Sequence, residues 1–190
     1  MSASGSPGPG RPGLDSAGPA VLDPLDRAVV ARQLGREPRA LRQVAHRCPC
    51  GNPDVVQTAP ELADGTPFPT LFYVTCPALA SAIGRLEASG LMREMTERLR
   101  ADDELAAAYQ QAHDRYLRRR AQLGSPARIA GISAGGMPHR VKCLHALVGH
   151  ALAVGPGENP LGDQALAMLG PWWAGGPCVP RTPPAAGAAP

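Results

Sequence analysis

The apolar pattern of this chain changes period at Pro77, and that change limits the fold more than any other feature. Between Ala40 and Cys76 the apolar residues fall in short β-branched and aromatic runs bounded by turn residues, which is strand patterning. "ALRQVAHRC" (40–48), "DVVQTAP" (54–60) and "TLFYVTC" (70–76) are the three runs, with "CPCGNP" (48–53) and "ADGTPFPT" (63–70) supplying turn chemistry between them. After Pro77 the apolar residues recur at helical spacing. Leu79, Ile83 and Leu86 form one stripe, and Leu91, Met95 and Leu99 a second. Leu105, Tyr109, Tyr116 and Leu117 continue beyond a break expected at Asp102-Asp103.

Further helices are expected over "HRVKCLHALVGHALAVG" (139–155) and residues 161–169. A short one should precede the sheet in "DPLDRAVVARQLG" (23–35), with Asp23 or Asp26 as cap and Gly35 as stop. Strands followed by helices predict an α+β domain: a small antiparallel sheet in the N-terminal half packed against a helical C-terminal half. Residues 23–172 hold these signals. Residues 1–22 and 173–190 are Gly, Pro, Ala and Ser rich, and read as disordered tails.

Aromatic residues are only 4% of the chain, so Leu, Val and Ala must fill the core. A formal charge of +3 is too small to predict nucleic-acid binding. No apolar run is long enough for a membrane span. The N-terminus has no apolar core after a basic start, so no secretory signal is expected and a cytoplasmic location is. In that compartment cysteines stay reduced, and an odd count of five argues against a disulfide framework.

Two of the five cysteines flank a single proline, Cys48-Pro49-Cys50, in a turn at the sheet edge. Cys76 ends the third strand, and an antiparallel sheet can bring it beside that turn. Cys143 can complete a zinc set of four with Cys48, Cys50 and Cys76, with His145 or His139 as a substitute, because thiolate and imidazole are the donors zinc prefers. On a regular helix His139 and Cys143 share a face at four-residue spacing, whereas His145 points elsewhere. A disrupted first turn would instead let Cys143 and His145 reach one ion. The one-residue Cys48–Cys50 spacing is shorter than that of ordinary zinc motifs. Buried packing thiols and a redox or nucleophilic thiol therefore stay open beside the metal.

Arg36 and Arg39 in "GREPR", Arg47, and Arg140 and Lys142 after the Gly-Gly of "GGMPHRVK" are candidates for an anion site. Of these, Arg36, Arg47, Arg140 and Lys142 are the set expected to face an acidic protein or an anionic small molecule. Neither a Walker A nor a GxGxxG pattern accompanies them, and a solvated arginine face is the plain alternative. Asn159 and Asp163 in "GPGENPLGD" read first as turn and cap residues. His113 reads as a helix residue that packs or sits exposed. No Ser-His-Asp order or carboxylate pair stands out.

The segments "RQLGREPRALRQVAHRCPCGNPDVVQTAPELADGTPFPTLFYVTCP", "LEASGLMREMTERL" and "GGMPHRVKCLHALVGHALAVGPGENPLGD" together resemble the actinobacterial domain-of-unknown-function family numbered 501 over about residues 27–165. The resemblance carries no catalytic residue. It implies a small cytosolic protein of high-GC Gram-positive bacteria, encoded near a septum formation initiator protein, an enolase and an exopolyphosphatase. Three functions follow as expectations: a domain with a structural zinc, an enzyme acting on a phosphorylated or anionic small molecule, or an adaptor for cell-division or cell-wall proteins using the helical face around 91–120.

Overall fold

The computed structural model describes residues 22–183. The expected N-terminal tail lies outside these residues but for Leu22, and so do residues 184–190 of the expected C-terminal one.

Helix α1 (Pro24–Leu34) starts where the sequence places it. The Asp23 carboxylate accepts the Leu25 amide, Pro24 opens the first turn, and Gly35 closes the helix at φ 66°. Strands β1 (Leu41–Arg47), β2 (Pro53–Thr58) and β3 (Phe72–Val74) form an antiparallel sheet in the order β1-β2-β3. Val44 faces Val56, and Val55 faces Val74. β2 is central and nearly all buried, whereas β1 carries register irregularities at Val44–Arg47. Such irregularities bend and twist an edge strand.

Helix α2 (Pro77–Ala88) begins at the proline that ends the strand run. Helices α3 (Leu91–Ala101) and α4 (Asp103–Ala121) are separated at Asp102, whose side chain caps α4 through the Leu105 amide. The sequence anticipates this break because Asp competes for local backbone amides inside a helix.

The core gathers around α5 (Leu144–Val154), which is buried along most of its length against β3, α2 and α6 (Pro160–Ala167). Two glycines permit that closeness. A Cβ at Gly149 would stand 3.0 Å from the Phe72 carbonyl, and one at Gly162 only 2.4 Å from the Leu147 carbonyl. Tyr109, Tyr116, Phe72, Leu79, Ile83 and Leu161 are among the fully buried side chains around it. The result is the expected α+β arrangement, a three-stranded sheet followed by the main helical mass.

Residues 173–183, which composition assigns to a tail, lie against α1 and the β1–β2 turn. Arg32 donates to the Pro180 carbonyl (2.9 Å), Asn52 to the Val179 carbonyl (2.9 Å), and Arg181 pairs with Asp26 (2.7 Å). Among the described residues no helix is long and apolar enough to cross a membrane.

Candidate metal centre

The first turn of α5 and the last turn of α2 meet. α5 begins at Leu144 rather than His139, because residues 135–143 fold on themselves. The Lys142 amide donates to the Gly135 carbonyl (2.7 Å), and the Val141 amide to Thr96 Oγ1 (3.0 Å). A Cβ at Gly136 would stand 2.8 Å from the Arg140 carbonyl, so the Gly-Gly pair serves this tight loop. Cys143 is left extended at the N-cap, and His145 is the second helical residue.

Glu87 reaches this turn from α2. Its Oε1 accepts the Leu144 amide at 2.7 Å and lies 3.2 Å from His145 Nδ1. The other ring nitrogen, Nε2, lies 3.2 Å from the Ala80 carbonyl. One ligand atom from each of Glu87, Cys143 and His145 falls within 4.8 Å of the others. His145 is 33% exposed and Glu87 24%, so solvent reaches the group.

The two contacts of His145 set its protonation. A carbonyl can only accept, so Nε2 carries a proton. Nδ1 then faces a carboxylate, which also only accepts. That face needs a second proton or another cation. In keeping with this, the neighbouring Cys143 thiol, with Glu87 adding, pushes His145 up to about 9 against the effect of burial.

The other cysteines differ. Cys48 adjoins Cys50 and Cys76 adjoins Cys178, a residue absent from the sequence-based set. Burial pushes Cys48 up to about 12 and Cys76 to about 11, so both rest as thiols. Cys48, Cys50, Cys76 and His139 lie outside the Glu87–Cys143–His145 group. The helix start places the two histidines differently: with residue 143 at the cap, His145 comes beside it, and His139 is exposed on the preceding loop. Glu87 left no signal in the sequence. It is one carboxylate in "GRLEASG", and only the packing of α2 against α5 makes it part of a site.

The four expected anion-site cations are separately placed. Arg36 is exposed and lines a cleft beside β1. Arg47 forms a two-pronged pair with buried Asp26, which Arg181 joins. Hydrogen bonding from Arg47, then from Arg181, holds the Asp26 carboxyl below the usual carboxylate range despite burial. Arg140 and Lys142 are exposed on the loop leading to Cys143. Asn159 caps α6 through the Gly162 amide (3.0 Å), and its amide group meets His150 Nδ1 at 3.2 Å. His113 is buried against Ser133 Oγ (2.9 Å).

A family model described as "Protein of unknown function (DUF501)" matches residues 44–167. The chain belongs to this family. The matched span contains Glu87, Cys143 and His145 as well as Cys48, Cys50 and Cys76. No curated protein and no solved structure matches the chain.

Proposed function

We propose that this domain of the DUF501 family binds one transition-metal ion, with zinc as the candidate, through Glu87, Cys143 and His145. The observation that carries the reading is the placement of His145: Nε2 is committed to a backbone carbonyl while Nδ1 faces the Glu87 carboxylate, with Cys143 completing a group whose ligand atoms lie within 4.8 Å of one another. Metal-bound histidines recur in this form, with the second nitrogen donating to a carbonyl or carboxylate. Sulfur, nitrogen and oxygen donors from three side chains match the donor types of zinc. The 3.2 Å between His145 Nδ1 and Glu87 Oε1 is close to the ~3.3 Å separating two ligands about 2.0 Å from one tetrahedral ion.

Three donors leave a fourth position at a half-exposed surface, next in sequence to Lys142. An ion here would join the end of α2 to the start of α5 and hold a water or a small anion outward. That position unites the structural-zinc expectation with the expectation of an anionic ligand.

Elemental mass spectrometry of protein purified without chelator tests the reading. About one zinc per chain is expected in the wild type and in Cys50→Ser, and none in Cys143→Ser. Folded wild type without metal contradicts it. So does metal lost in Cys50→Ser and kept in Cys143→Ser, which would move the ion to the sheet-edge thiols.

A second reading is nucleophilic chemistry at Cys143, favoured by the thiol–imidazole–carboxylate order at a helix N-terminus. It predicts metal-free protein in which iodoacetamide alkylates Cys143 much faster than free cysteine, with the excess rate lost in His145→Ala.

A further inference from the structure

A cleft of about 410 Å³ opens between the end of α1, the connector to β1 and the β2–β3 loop. Leu41, Val56, Phe68 and Tyr73 line it, the last two with ring centroids 6.2 Å apart. Arg36 and Arg39, both exposed, line it as well. The volume lies in the range of sites for small organic ligands, which are mostly apolar with a few placed polar groups.

Among the described residues neither arginine has a carboxylate partner. Arg36 donates only to the carbonyl of its neighbour Glu37 (3.3 Å), and Glu37 pairs instead with Arg27 (3.5 Å). Arg39 makes no hydrogen bond or ion pair among the described residues. Its field reaches the exposed Asp64 carboxylate without an ion pair forming. Most other arginines near the sheet are committed: Arg47 and Arg181 to Asp26, Arg32 to the carbonyls of residues 180–183. Ala40, which follows Arg39, is the one non-glycine residue at positive φ (54°) among the described residues. L residues avoid that conformation, and it is retained beside this cleft.

The geometry points to a binding site for a small organic anion carrying a flat apolar ring. The ring lies against Phe68 and Tyr73, and its carboxylate, phosphate or sulfonate meets Arg36 and Arg39. Guanidinium groups favour oxyanions because their donors form a planar fork that matches two oxygens. The apolar residues lining the cleft give a ring something to contact that a simple inorganic ion would leave unused. This site is independent of the metal reading and shares no residue with it.

The test uses the full chain and 8-anilinonaphthalene-1-sulfonate, a flat-ringed anion whose fluorescence reports binding, with its neutral relative N-phenyl-1-naphthylamine as control. Saturable binding at one site is expected, weakened roughly tenfold or more in Arg36→Gln/Arg39→Gln, as loss of charge-assisted hydrogen bonds predicts. Added salt should weaken it also, and the neutral relative should not distinguish wild type from variant. Cys143→Ser should bind the probe as wild type does. Both arginines are exposed, so an unchanged melting curve is expected, and Arg39→Gln alone provides a second variant with a smaller loss. Equal affinity of wild type and both variants for the anion, or no saturable binding, overturns the inference.

Discussion

His145 and His150 sit five residues apart on one helix and occupy opposite environments. His145, in the first turn, is half-exposed and surrounded by a thiol, a carboxylate and a carbonyl, and is pushed up to about 9. His150, in the middle of α5, is fully buried, stacked on Phe72 at 5.7 Å and edge-on to Tyr116 at 5.2 Å. Burial, with Arg119 and Arg115 adding, pushes it down to about 3. Its Nδ1 meets the Asn159 amide, and its Nε2 has no partner among the described residues. One side chain is thus favoured as a cation, and the other as a neutral aromatic plate. Histidine in a sequence says little about chemistry until the groups around each nitrogen are known.

This contrast can be broken in graded ways. The largest effect is expected from His145→Ala, which should abolish metal retention, lowering affinity by more than about a hundredfold, since even supporting residues of such sites cost 10–100-fold. Isothermal titration with zinc into chelator-treated protein measures this. The metal-free stability of that variant should fall less than that of His150→Ala, because the side chain is partly exposed and its ion pair with Glu87 is screened by solvent. His150→Ala should do the reverse. It should cost about 2–4 kcal/mol in urea unfolding, as aromatic truncation in a core does, yet keep zinc stoichiometry. If His150→Ala loses metal in folded protein, or His145→Ala keeps it, the contrast fails.

A smaller and more specific effect is the pH dependence of metal-free protein. The buried His150 takes up no proton until about pH 3, while in the unfolded chain it protonates near pH 6.5. The unfolded chain therefore holds more protons in that window. Stability should fall as pH drops from about 6.5 towards 3, by an amount on the order of a few kcal/mol at most. His150→Phe should flatten this decline. His145 works in the opposite direction. Its folded value is raised, so its contribution is complete below pH 6.5 and lost as pH rises through about 9. An acid decline identical in His150→Phe would assign the effect to other groups.

The smallest expected signal separates the thiols. Cys48 and Cys76 are 4% and 2% exposed, whereas Cys143 is partly open. Mass-spectrometric mapping of alkylation in native, metal-free protein should find Cys143 modified roughly tenfold or more ahead of Cys48 and Cys76, following exposure and thiolate access. Equal rates would remove the distinction between the two cysteine environments.

Much of the fold could be read from local chemistry. Asp102 announced a helix break because it caps the following amides, and Pro77 announced the end of β3 because a proline cannot extend a ladder. The site was only half legible. Cys143, His139 and His145 were visible as candidate donors, but a helix assumed from residue 139 aligned Cys143 with His139, whereas the structure places it beside His145. The loop is held out of helix by Thr96 Oγ1 and the Gly135 carbonyl, and Thr96 is a tertiary contact 45 residues away that periodicity does not encode. Glu87 was invisible for the same reason. Composition likewise could not show that Arg32, Gln33 and Asn52 take up carbonyls and the Cys178 thiol of the Pro-rich C-terminal segment.

X-ray absorption at the zinc edge of the loaded protein tests the central claim most directly, because it counts sulfur neighbours. One sulfur at about 2.3 Å with two or three nitrogen or oxygen neighbours at about 2.0 Å is the result predicted for Glu87, Cys143 and His145. Three or four sulfurs would place the ion among the sheet-edge cysteines, and none would remove Cys143 from it; either contradicts the account.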